Sequence, residues 1–451
     1  MSELSAMDQK ERIRMSQDAP PKIVGVPRES FPGERRVALV PANVAALKKA
    51  GFEVLVERAA GVRAGYRDEE YTSAGAELAD SREVIFERAD VVLQVRAAGA
   101  NRHAGADDLG RIRRGQTLIA MCDPLAQAGI MQEIAGRGAT TFALELVPRI
   151  TRAQSMDVLS SQASIGGYKA VLAAAAQLPR MCPMMMTAAG TIAPARFFIL
   201  GAGVAGLQAI ATARRLGAVV WSYDVRPAVK EEVQSLGAKF LEIDLVESED
   251  GQSGGYAKEM DEEFYRRQRE AMTKLIAESD VVITTAAIPG RKAPVLVTED
   301  MVREMPEGSV IIDMAAETGG NCEITEAGEI TVKHGVTIDG TINIPATVPY
   351  HSSQTYSKNV VTFLLHLQKE NALDADSDDE IVQGTLVTRG GEVVNGRVRE
   401  ILGLEPLAAS EGVATENSPV EAAPEAGSSQ SDSNASEGPG DEPSPAPESE
   451  G

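Results

Sequence analysis

Aromatic residues are scarce in this sequence, at 4% of 451 residues. The hydrophobic core is therefore expected to consist mainly of Ala, Val, Ile, Leu and Met side chains. Cysteine and histidine are also rare: three cysteines and four histidines lie far apart, without the short spacings of a disulfide framework or a zinc cluster. The sequence accordingly predicts no metal site and gives its cysteines no chemical role.

Positive charge is also in short supply. The formal net charge is -22, and neither Lys nor Arg occurs after Arg399. This balance argues against nucleic-acid binding, because phosphate recognition requires a basic surface. Residues 408–451 are mostly Glu, Asp, Ser, Pro, Ala and Gly, which bury too little apolar surface to offset the entropy of ordering. We predict that they form a disordered acidic tail, and that residues 1–20 form a flexible N-terminus.

Long apolar runs are absent. A helix that spans a bilayer needs about 20 apolar residues, and the nearest candidate, residues 181–207, is interrupted by Pro183, Pro194 and Arg196. The N-terminus also lacks the apolar region of a signal peptide. The sequence therefore predicts a cytoplasmic protein with no transmembrane segment of its own.

Short apolar runs alternate with helical patterns in two successive regions of the chain. The first region has predicted strands at residues 21–27, 52–58, 90–96, 115–123 and 140–147, with helices between them. After a predicted long helix at 151–177, the second region has strands at 196–202, 219–225, 239–244, 280–287, 309–315 and 337–342. Such alternation is typical of βαβ units in a parallel sheet.

This pattern predicts an α/β protein with two doubly wound, Rossmann-like domains and a cleft between them. The first domain is assigned to residues 21–150 plus 343–405, because a predicted helix at 360–370 can return to pack on it. The second domain is assigned to residues 151–342.

The strongest local motif is G-x-G-x-x-G, formed by Gly201, Gly203 and Gly206 between a strand and a helix. The glycines permit a tight turn, approach of the backbone to a pyrophosphate, and close packing of helix on strand. Asp224 ends the next strand, where a carboxylate accepts from the ribose 2′-OH and repels a 2′-phosphate. The motif predicts NAD(H) rather than NADP(H), although the nearby Arg226 can accommodate a 2′-phosphate, and a simple packing turn is the alternative. The predicted contacts here are Gly201, Gly203, Val204, Ala205, Gly206, Asp224, Val225 and Arg226.

A second notable stretch is the polar segment, residues 149–162, with the sequence RITRAQSMDVLSSQ. It concentrates arginine, glutamine, aspartate and hydroxyl side chains at the predicted start of a helix. One interpretation is a solvated helix terminus capped by Thr151. The other is a clamp for a polar ligand.

Several motifs occur in order along residues 20 to 385 and together resemble one family. They are GVPRESFPGERRVALVP, TRAQSMDVLSSQ, MMMTAAGTIAPARFFILGAGVAGLQAIATARRLGA, GGYAKEM, IPGRKAPVLVTEDMV and SVIIDMAAETGGNCE. The chain resembles the NAD(H)-binding component of proton-translocating NAD(P) transhydrogenase, which is related to alanine dehydrogenase.

The resemblance implies that the polar segment is a clamp at the nicotinamide end of NAD(H), with Arg149, Gln154, Asp157 and Ser160 at the transfer centre. An ionised Asp157 can accept from the carboxamide NH₂, and Gln154 would lie near the second nucleotide. Further implied cofactor contacts are Ile150, Thr151, Arg152, Ser155, Met156, Gln268 and Ala287, together with Gly255 and Tyr256 in a loop that closes over the ligand.

The resemblance also implies a reaction and partners. Hydride would pass from NADH to NADP⁺ bound on a β subunit, coupled to proton translocation through that subunit and a separate small membrane α subunit. The chain would be a homodimer, held peripherally at the cytoplasmic face of the inner membrane by these partners.

Two other functions remain open. A free-standing alanine-dehydrogenase-like oxidoreductase would need a positioned acid or base, and the resemblance places the lysine of those enzymes at Gln94 and their histidine around Cys122 and Asp123. Neither position carries such a group. A non-catalytic protein that binds NAD as a sensor is the other alternative.

Overall fold

The computed structural model describes residues 22–242, 262–369, 372–375 and 377–407. Within these residues the chain forms an eight-stranded sheet, a seven-stranded sheet and two small hairpins. The predicted flexible N-terminus, the predicted acidic tail, and Gly255 and Tyr256 lie outside the described residues.

The described strands and helices alternate along most of the chain. The strands are β1 (Ile23–Val26), β2 (Glu53–Glu57), β3 (Glu77–Ala79), β4 (Val91–Arg96), β5 (Thr117–Met121), β6 (Thr140–Ala143), β7 (Met185–Thr187), β8 (Gly190–Ile192), β9 (Arg196–Leu200), β10 (Val219–Tyr223), β11 (Lys239–Phe240), β12 (Val281–Thr284), β13 (Val310–Asp313), β14 (Ile330–Lys333), β15 (Val336–Asp339), β16 (Gln368–Lys369), β17 (Ala372–Leu373), β18 (Leu386–Arg389) and β19 (Glu392–Val393). The α-helices are α1 (Pro41–Lys49), α2 (Asp68–Ser73), α3 (Arg82–Arg88), α4 (Gly105–Leu109), α5 (Ala128–Gly136), α6 (Val158–Gln177), α7 (Val204–Arg215), α8 (Lys230–Ser235), α9 (Glu262–Ala277), α10 (Glu299–Arg303), α11 (Pro349–Leu367), α12 (Glu380–Thr385) and α13 (Gly396–Ile401).

The first sheet has the order β19-β18-β6-β5-β4-β1-β2-β3. Strands β1 to β6 are parallel, and β18 and β19 add antiparallel pairs at one edge. Parallel strands are covered on both faces by helices, which explains their nearly continuous apolar sequences. The strand order reverses between β1 and β4. This sheet and the helices packed on it form the first lobe.

The second sheet has the order β11-β10-β9-β12-β13-β15-β14. Its strands are parallel except for β14, which pairs antiparallel with β15. The order reverses between β9 and β12, so the crevice beyond their carboxyl ends is the expected ligand position in an open α/β sheet. This sheet and its helices form the second lobe.

Two long helices contribute side chains to the hydrophobic cores of the lobes. The first residue of α6, Val158, packs in the core of the first sheet, and its later residues Ala170 and Val171 pack in the core of the second sheet. Helix α11 buries Tyr356 and Phe363 against the first sheet. The predicted return of a helix to the first lobe is thus observed, but the helix begins at Pro349 rather than near residue 360.

The predicted α/β class with two Rossmann-like sheets is confirmed. The predicted helix at 151–177 is interrupted: residues Thr151–Met156 form a 3₁₀-helix, and α6 starts after Asp157. Strands β3, β14, β18 and β19 and both hairpins were not predicted, because their runs are short or partly polar. The predicted domain boundaries stay a prediction.

Helix length and hydropathy bear on membrane insertion. Among the residues that the structure describes, no helix combines the length and the apolar character that crossing a bilayer requires.

Candidate functional site

The glycine turn, residues 201–206, joins β9 to α7 at the carboxyl end of the second sheet. Gly201 has a φ of 99°, which glycine adopts without strain. A Cβ on Gly206 would lie 1.8 Å from the carbonyl oxygen of Gly201, whereas a Cβ on Gly203 would meet no described atom within 4 Å. The open space at Gly203, beside the first turn of a helix, suits an approaching phosphate.

Asp224 ties the glycine turn to the end of β10. Its carboxylate accepts from the Ala202 amide at 2.8 Å and from the Arg226 amide at 2.9 Å, and it forms an ion pair with the Arg226 guanidinium at 3.0 Å. Burial alone would raise the pKa of Asp224, but the hydrogen bonds from Arg226 and Ala202 hold it below its usual value. An ionised carboxylate at this strand end can accept from a ribose hydroxyl.

Two exposed apolar side chains belong to the same region, one at the start of α7 and one directly after Asp224. Val225 is 73% exposed and Val204 is 43% exposed. Large aliphatic groups at the open edge of a polar turn can cover the flat face of an aromatic ring such as adenine. Both residues belong to the set predicted from the glycine motif.

In the polar segment, Asp157 and Ser160 are brought together at the start of α6. The Asp157 carboxylate accepts from the Ser160 amide at 2.9 Å, and the Ser160 hydroxyl donates to it at 2.6 Å. The helix cap is therefore Asp157 and not Thr151. Because each oxygen of a carboxylate can accept more than one hydrogen bond, the capping role leaves room for a ligand donor.

The other predicted residues of the polar segment have different surroundings. Arg149 and Gln154 are exposed, as are Thr151 and Ser155. Met156 is buried in the core of the first sheet, so its side chain anchors the polar segment to that core. Arg152 donates to Asp379 of the first lobe at 2.6 Å. Ile150 is partly buried.

Asn359 of α11, which sequence reasoning missed, holds the polar segment in place. Its side-chain amide donates to the Ser155 carbonyl at 2.8 Å and its oxygen accepts from the Ser161 hydroxyl at 2.7 Å. A polar residue inside a helix carries no sequence signal for such a partner. The contact links α11 to the segment from which Asp157 projects.

The β12 turn, residues 285–290, lies next to the glycine turn. The Thr285 hydroxyl donates to the Leu200 carbonyl at 3.1 Å and to the Gly201 carbonyl at 3.2 Å. Ala287 is exposed, and Gly290 faces Leu125 of the first lobe. The small residues of this turn leave the backbone accessible at the carboxyl end of β12.

An ion pair links the two lobes. Arg96, at the end of β4, forms two contacts with Glu317 in the 3₁₀-helix that follows β13, at 2.5 Å and 3.0 Å. The Arg96 guanidinium also stacks over Phe31 at 4.2 Å from the ring centroid. The pair brings the carboxyl ends of strands from both sheets together.

Comparison with family models covers both lobes. The model "Alanine dehydrogenase/PNT, N-terminal domain" matches residues 25–166, and "Alanine dehydrogenase/PNT, C-terminal domain" matches residues 170–396. The chain belongs to the alanine dehydrogenase/PNT family.

Individual relatives within the alanine dehydrogenase/PNT family differ in their similarity. The chain is 48% identical over 375 residues to the first part of NAD(P) transhydrogenase subunit alpha of Rhodospirillum rubrum, covering 82% of this chain and 97% of that protein. It is 29% identical over 404 residues to alanine dehydrogenase of Bacillus subtilis, covering 88% and 99%. The crystal structure of transhydrogenase from Sinorhizobium meliloti superposes with a TM-score of 0.74 at 47% identity, covering 83% of this chain and 100% of that one.

The structure refines the argument about a missing acid or base in this family. Gln94 is buried and donates to Asp108 at 3.0 Å, whereas Arg96, on the same strand, reaches the second lobe. The conclusion is unchanged, because neither an amide nor a guanidinium exchanges protons near neutral pH.

The position around Cys122 and Asp123 is also unsuited to proton transfer by a histidine-like group. Burial raises the pKa of the Cys122 thiol well above its usual value. Asp123 has a φ of 50° and pairs with Arg102 at 2.9 Å. The partly buried Glu145 accepts from the amides of both residues, at 2.7 Å and 2.5 Å, which holds this loop in place.

Glu145 provides a test of how the loop is held. Burial raises its pKa to about 7, with a further contribution from Asp123, against the lowering effect of the backbone amides. Its Oε2 atom has no hydrogen-bond partner among the described residues. A raised folded-state pKa means that the native state binds the proton more tightly, so this carboxyl stabilises the fold at low pH and loses that contribution as the pH rises toward about 7.

We expect Glu145→Gln to reduce the pH dependence of stability. The variant should match the wild type near pH 4.5 and exceed it by roughly 2 kcal/mol above pH 7, because a neutral amide has no desolvated charge to form. Chemical denaturation between pH 4 and 8 measures this difference, with Glu133→Gln, at an exposed position of α5, as the control. A parallel shift at every pH would contradict the argument.

Three predicted site residues have no described side chain. Gly255 and Tyr256 lie outside the described residues, and Gln268 lies in α9 without a described side chain. They stay predictions.

Proposed function

We propose that the chain is the NAD(H)-binding subunit of a proton-translocating, Re/Si-specific NAD(P) transhydrogenase, which passes hydride from NADH to NADP⁺ on a partner β subunit. The observation that carries this proposal is the combination of a dinucleotide crevice at the β9/β12 reversal with the lack of a proton-exchanging side chain at Gln94, Arg96 and Cys122. The higher identity to a transhydrogenase subunit than to an alanine dehydrogenase supports the same choice.

The residues of the second lobe fit NAD(H). The open space at Gly203 admits a pyrophosphate, and Asp224 at the end of β10 offers an acceptor for the adenosine ribose. Since β10 and β12 flank β9 on opposite sides, a dinucleotide across the crevice extends its nicotinamide half toward the β12 turn. The ion pair between Asp224 and Arg226 supports a preference for NAD(H), because the guanidinium is already engaged.

The bound nicotinamide supplies the hydride, and the chain positions it. In this proposal Asp157 accepts from the carboxamide and Ser160 fixes the carboxylate, while the exposed Arg149 and Gln154 reach the ligand and the second nucleotide. Hydride transfer between two nicotinamides removes no proton from either ring. Orientation and exclusion of water are therefore sufficient, and no general base is required.

The proposal includes partners that hold the chain at the cytoplasmic face of the inner membrane. They are the NADP(H)-binding β subunit and a separate small membrane α subunit. The Rhodospirillum rubrum relative is named as one piece of a divided subunit alpha, which supports this arrangement. A homodimer is supported by the β7–β8 hairpin and the residue before it: Met184, Met186 and Ile192 are 56%, 77% and 40% exposed, and exposed apolar patches commonly mark protein interfaces.

The test combines the purified chain with NADH, NADP⁺ and a separately purified NADP(H)-binding transhydrogenase component. The proposal expects NADPH to form only when both proteins are present. Alanine-dependent reduction of NAD⁺ by the chain alone would instead favour an alanine-dehydrogenase-like enzyme. Tight NADH binding without turnover in either assay would favour a sensor.

We expect Asp224→Ala to weaken NADH binding by about tenfold, equivalent to about 1.4 kcal/mol, because the ribose loses a charged acceptor. Calorimetric titration with NADH measures the change. Asp80→Asn, at an exposed carboxylate of the first lobe, serves as the control. Unchanged affinity in Asp224→Ala would refute the ribose assignment.

A further inference from the structure

Asn321 is a fully buried asparagine whose side chain bonds only to backbone groups of other segments in the described structure. Its oxygen accepts from the Ala286 amide at 3.1 Å. Its NH₂ group donates to the Ala286 carbonyl at 2.9 Å and to the Pro294 carbonyl at 2.8 Å. Both donors and the acceptor are thus used, and Ala286 is held by its N–H and its C=O together.

Asn321 is itself fixed by the end of β13. The Asp313 carboxylate accepts from the amides of Asn321 and Cys322, each at 2.9 Å, and from the Thr325 hydroxyl at 2.7 Å. The other Asp313 oxygen accepts from the Thr284 hydroxyl at 3.0 Å. A chain of hydrogen bonds therefore runs from β13 through Asn321 to the β12 turn.

Ala286, the residue that Asn321 holds, lies in the β12 turn at the edge of the crevice. Ala286 precedes the exposed Ala287, and Thr285 bonds to the backbone of the glycine turn. The order β10-β9-β12 places the β12 turn on the side of the crevice opposite Asp224. A ligand that spans the crevice therefore meets Asp224 with one half and the β12 turn with the other.

We propose that Asn321 is a positioning residue for the nicotinamide-ribose half of NAD(H), acting through the backbone of Ala286; this inference rests on the proposed function. A side chain that holds both backbone groups of one residue fixes where the turn lies and which of its groups face the crevice. Asn321 touches no ligand in this proposal. Its effect is confined to the half of the dinucleotide that the β12 turn contacts.

The experiment compares two ligands that share the adenosine half. 5′-AMP reports on the glycine turn and Asp224, whereas NADH also requires the β12 turn. Calorimetric titrations of the full chain measure both affinities in Asn321→Ser and in Asn321→Asp. The aspartate is of the same size and keeps an acceptor for the Ala286 amide. Its negative charge, however, would face the carbonyls of Ala286 and Pro294 in place of the NH₂ donor. Asn395→Ala, which truncates the asparagine that caps α13 in the first lobe, is the control.

Both Asn321 variants are expected to bind NADH about tenfold more weakly than the wild type, with AMP affinity unchanged. Asn395→Ala should bind both ligands like the wild type. Equal weakening of AMP and NADH, or loss of AMP binding through unfolding in both variants, would overturn the proposal, as would wild-type NADH affinity. If the wild-type chain binds no NADH, the proposed function itself fails, whereas a wild-type chain that binds NADH beside unaffected variants refutes only the role of Asn321.

Discussion

Replacing Gly203 with alanine is expected to weaken NADH binding by about 100-fold, equivalent to about 2.7 kcal/mol, without loss of stability. The backbone at Gly203 has φ −77° and ψ −170°, which alanine adopts freely. Its added methyl group would meet no described atom within 4 Å, so we expect no steric clash and no change in the fold. The methyl group would, however, occupy the space through which a pyrophosphate approaches the start of α7.

Two other glycines provide the comparison. Gly129→Ala, in α5 of the first lobe, also places its methyl group in open space and should change neither NADH binding nor stability appreciably. Gly206→Ala places a Cβ 1.8 Å from the Gly201 carbonyl and should lower the melting temperature as well as the affinity. Calorimetry and thermal unfolding distinguish the three variants. If Gly203→Ala binds NADH with wild-type affinity, the pyrophosphate does not bind at this turn.

The glycine turn was predictable from sequence because its elements are close along the chain. A strand, three glycines and a helix start determine one another locally, and the carboxylate of Asp224 follows at the end of the next strand. The alternation of apolar runs and helices predicted both sheets for the same reason. Parallel strands buried on two faces give continuous apolar runs that short windows of sequence detect.

The supports of the site were not predictable, because each joins residues that are far apart in sequence. Asn321 holds Ala286, Asn359 holds Ser155, and Arg96 pairs with Glu317 across the lobes. A single asparagine or arginine has no periodicity from which its partner follows. The start of α11 at Pro349 was missed for a related reason, since its first turns bury serine hydroxyls that sequence patterns assign to a loop: Ser353 accepts from the Val37 amide.

The break in the predicted long helix shows how local chemistry and function meet at one residue. Helical periodicity continued through residue 157, but the Asp157 side chain competes for the backbone amide of Ser160 and starts a new helix there. The same carboxylate is the proposed acceptor for the carboxamide. Structural and functional interpretations of the polar segment are therefore compatible, and a variant is needed that separates them.

Asp157→Asn is expected to provide this separation. Asparagine caps helices about as well as aspartate, and its oxygen can still accept from the Ser160 amide, so stability should be retained. The substitution removes the negative charge and replaces one acceptor with a donor. The rate of hydride transfer from NADH to NADP⁺ on the partner component should fall by about 100-fold, which corresponds to about 2.7 kcal/mol in the barrier, while NADH affinity changes little.

Arg149→Ala should give the same division between transfer rate and binding, because the exposed Arg149 is proposed to orient the ligand at the transfer centre. Asp68→Asn, at the start of α2 in the first lobe, and Arg137→Ala, after α5, are the matched controls. Stopped-flow hydride transfer at saturating NADH, beside calorimetric NADH binding, measures the two effects separately. Lost affinity with a wild-type rate at saturating NADH would place Asp157 and Arg149 in binding alone, because a group that acts mainly in the transition state lowers the rate and leaves the ground-state complex as tight as before.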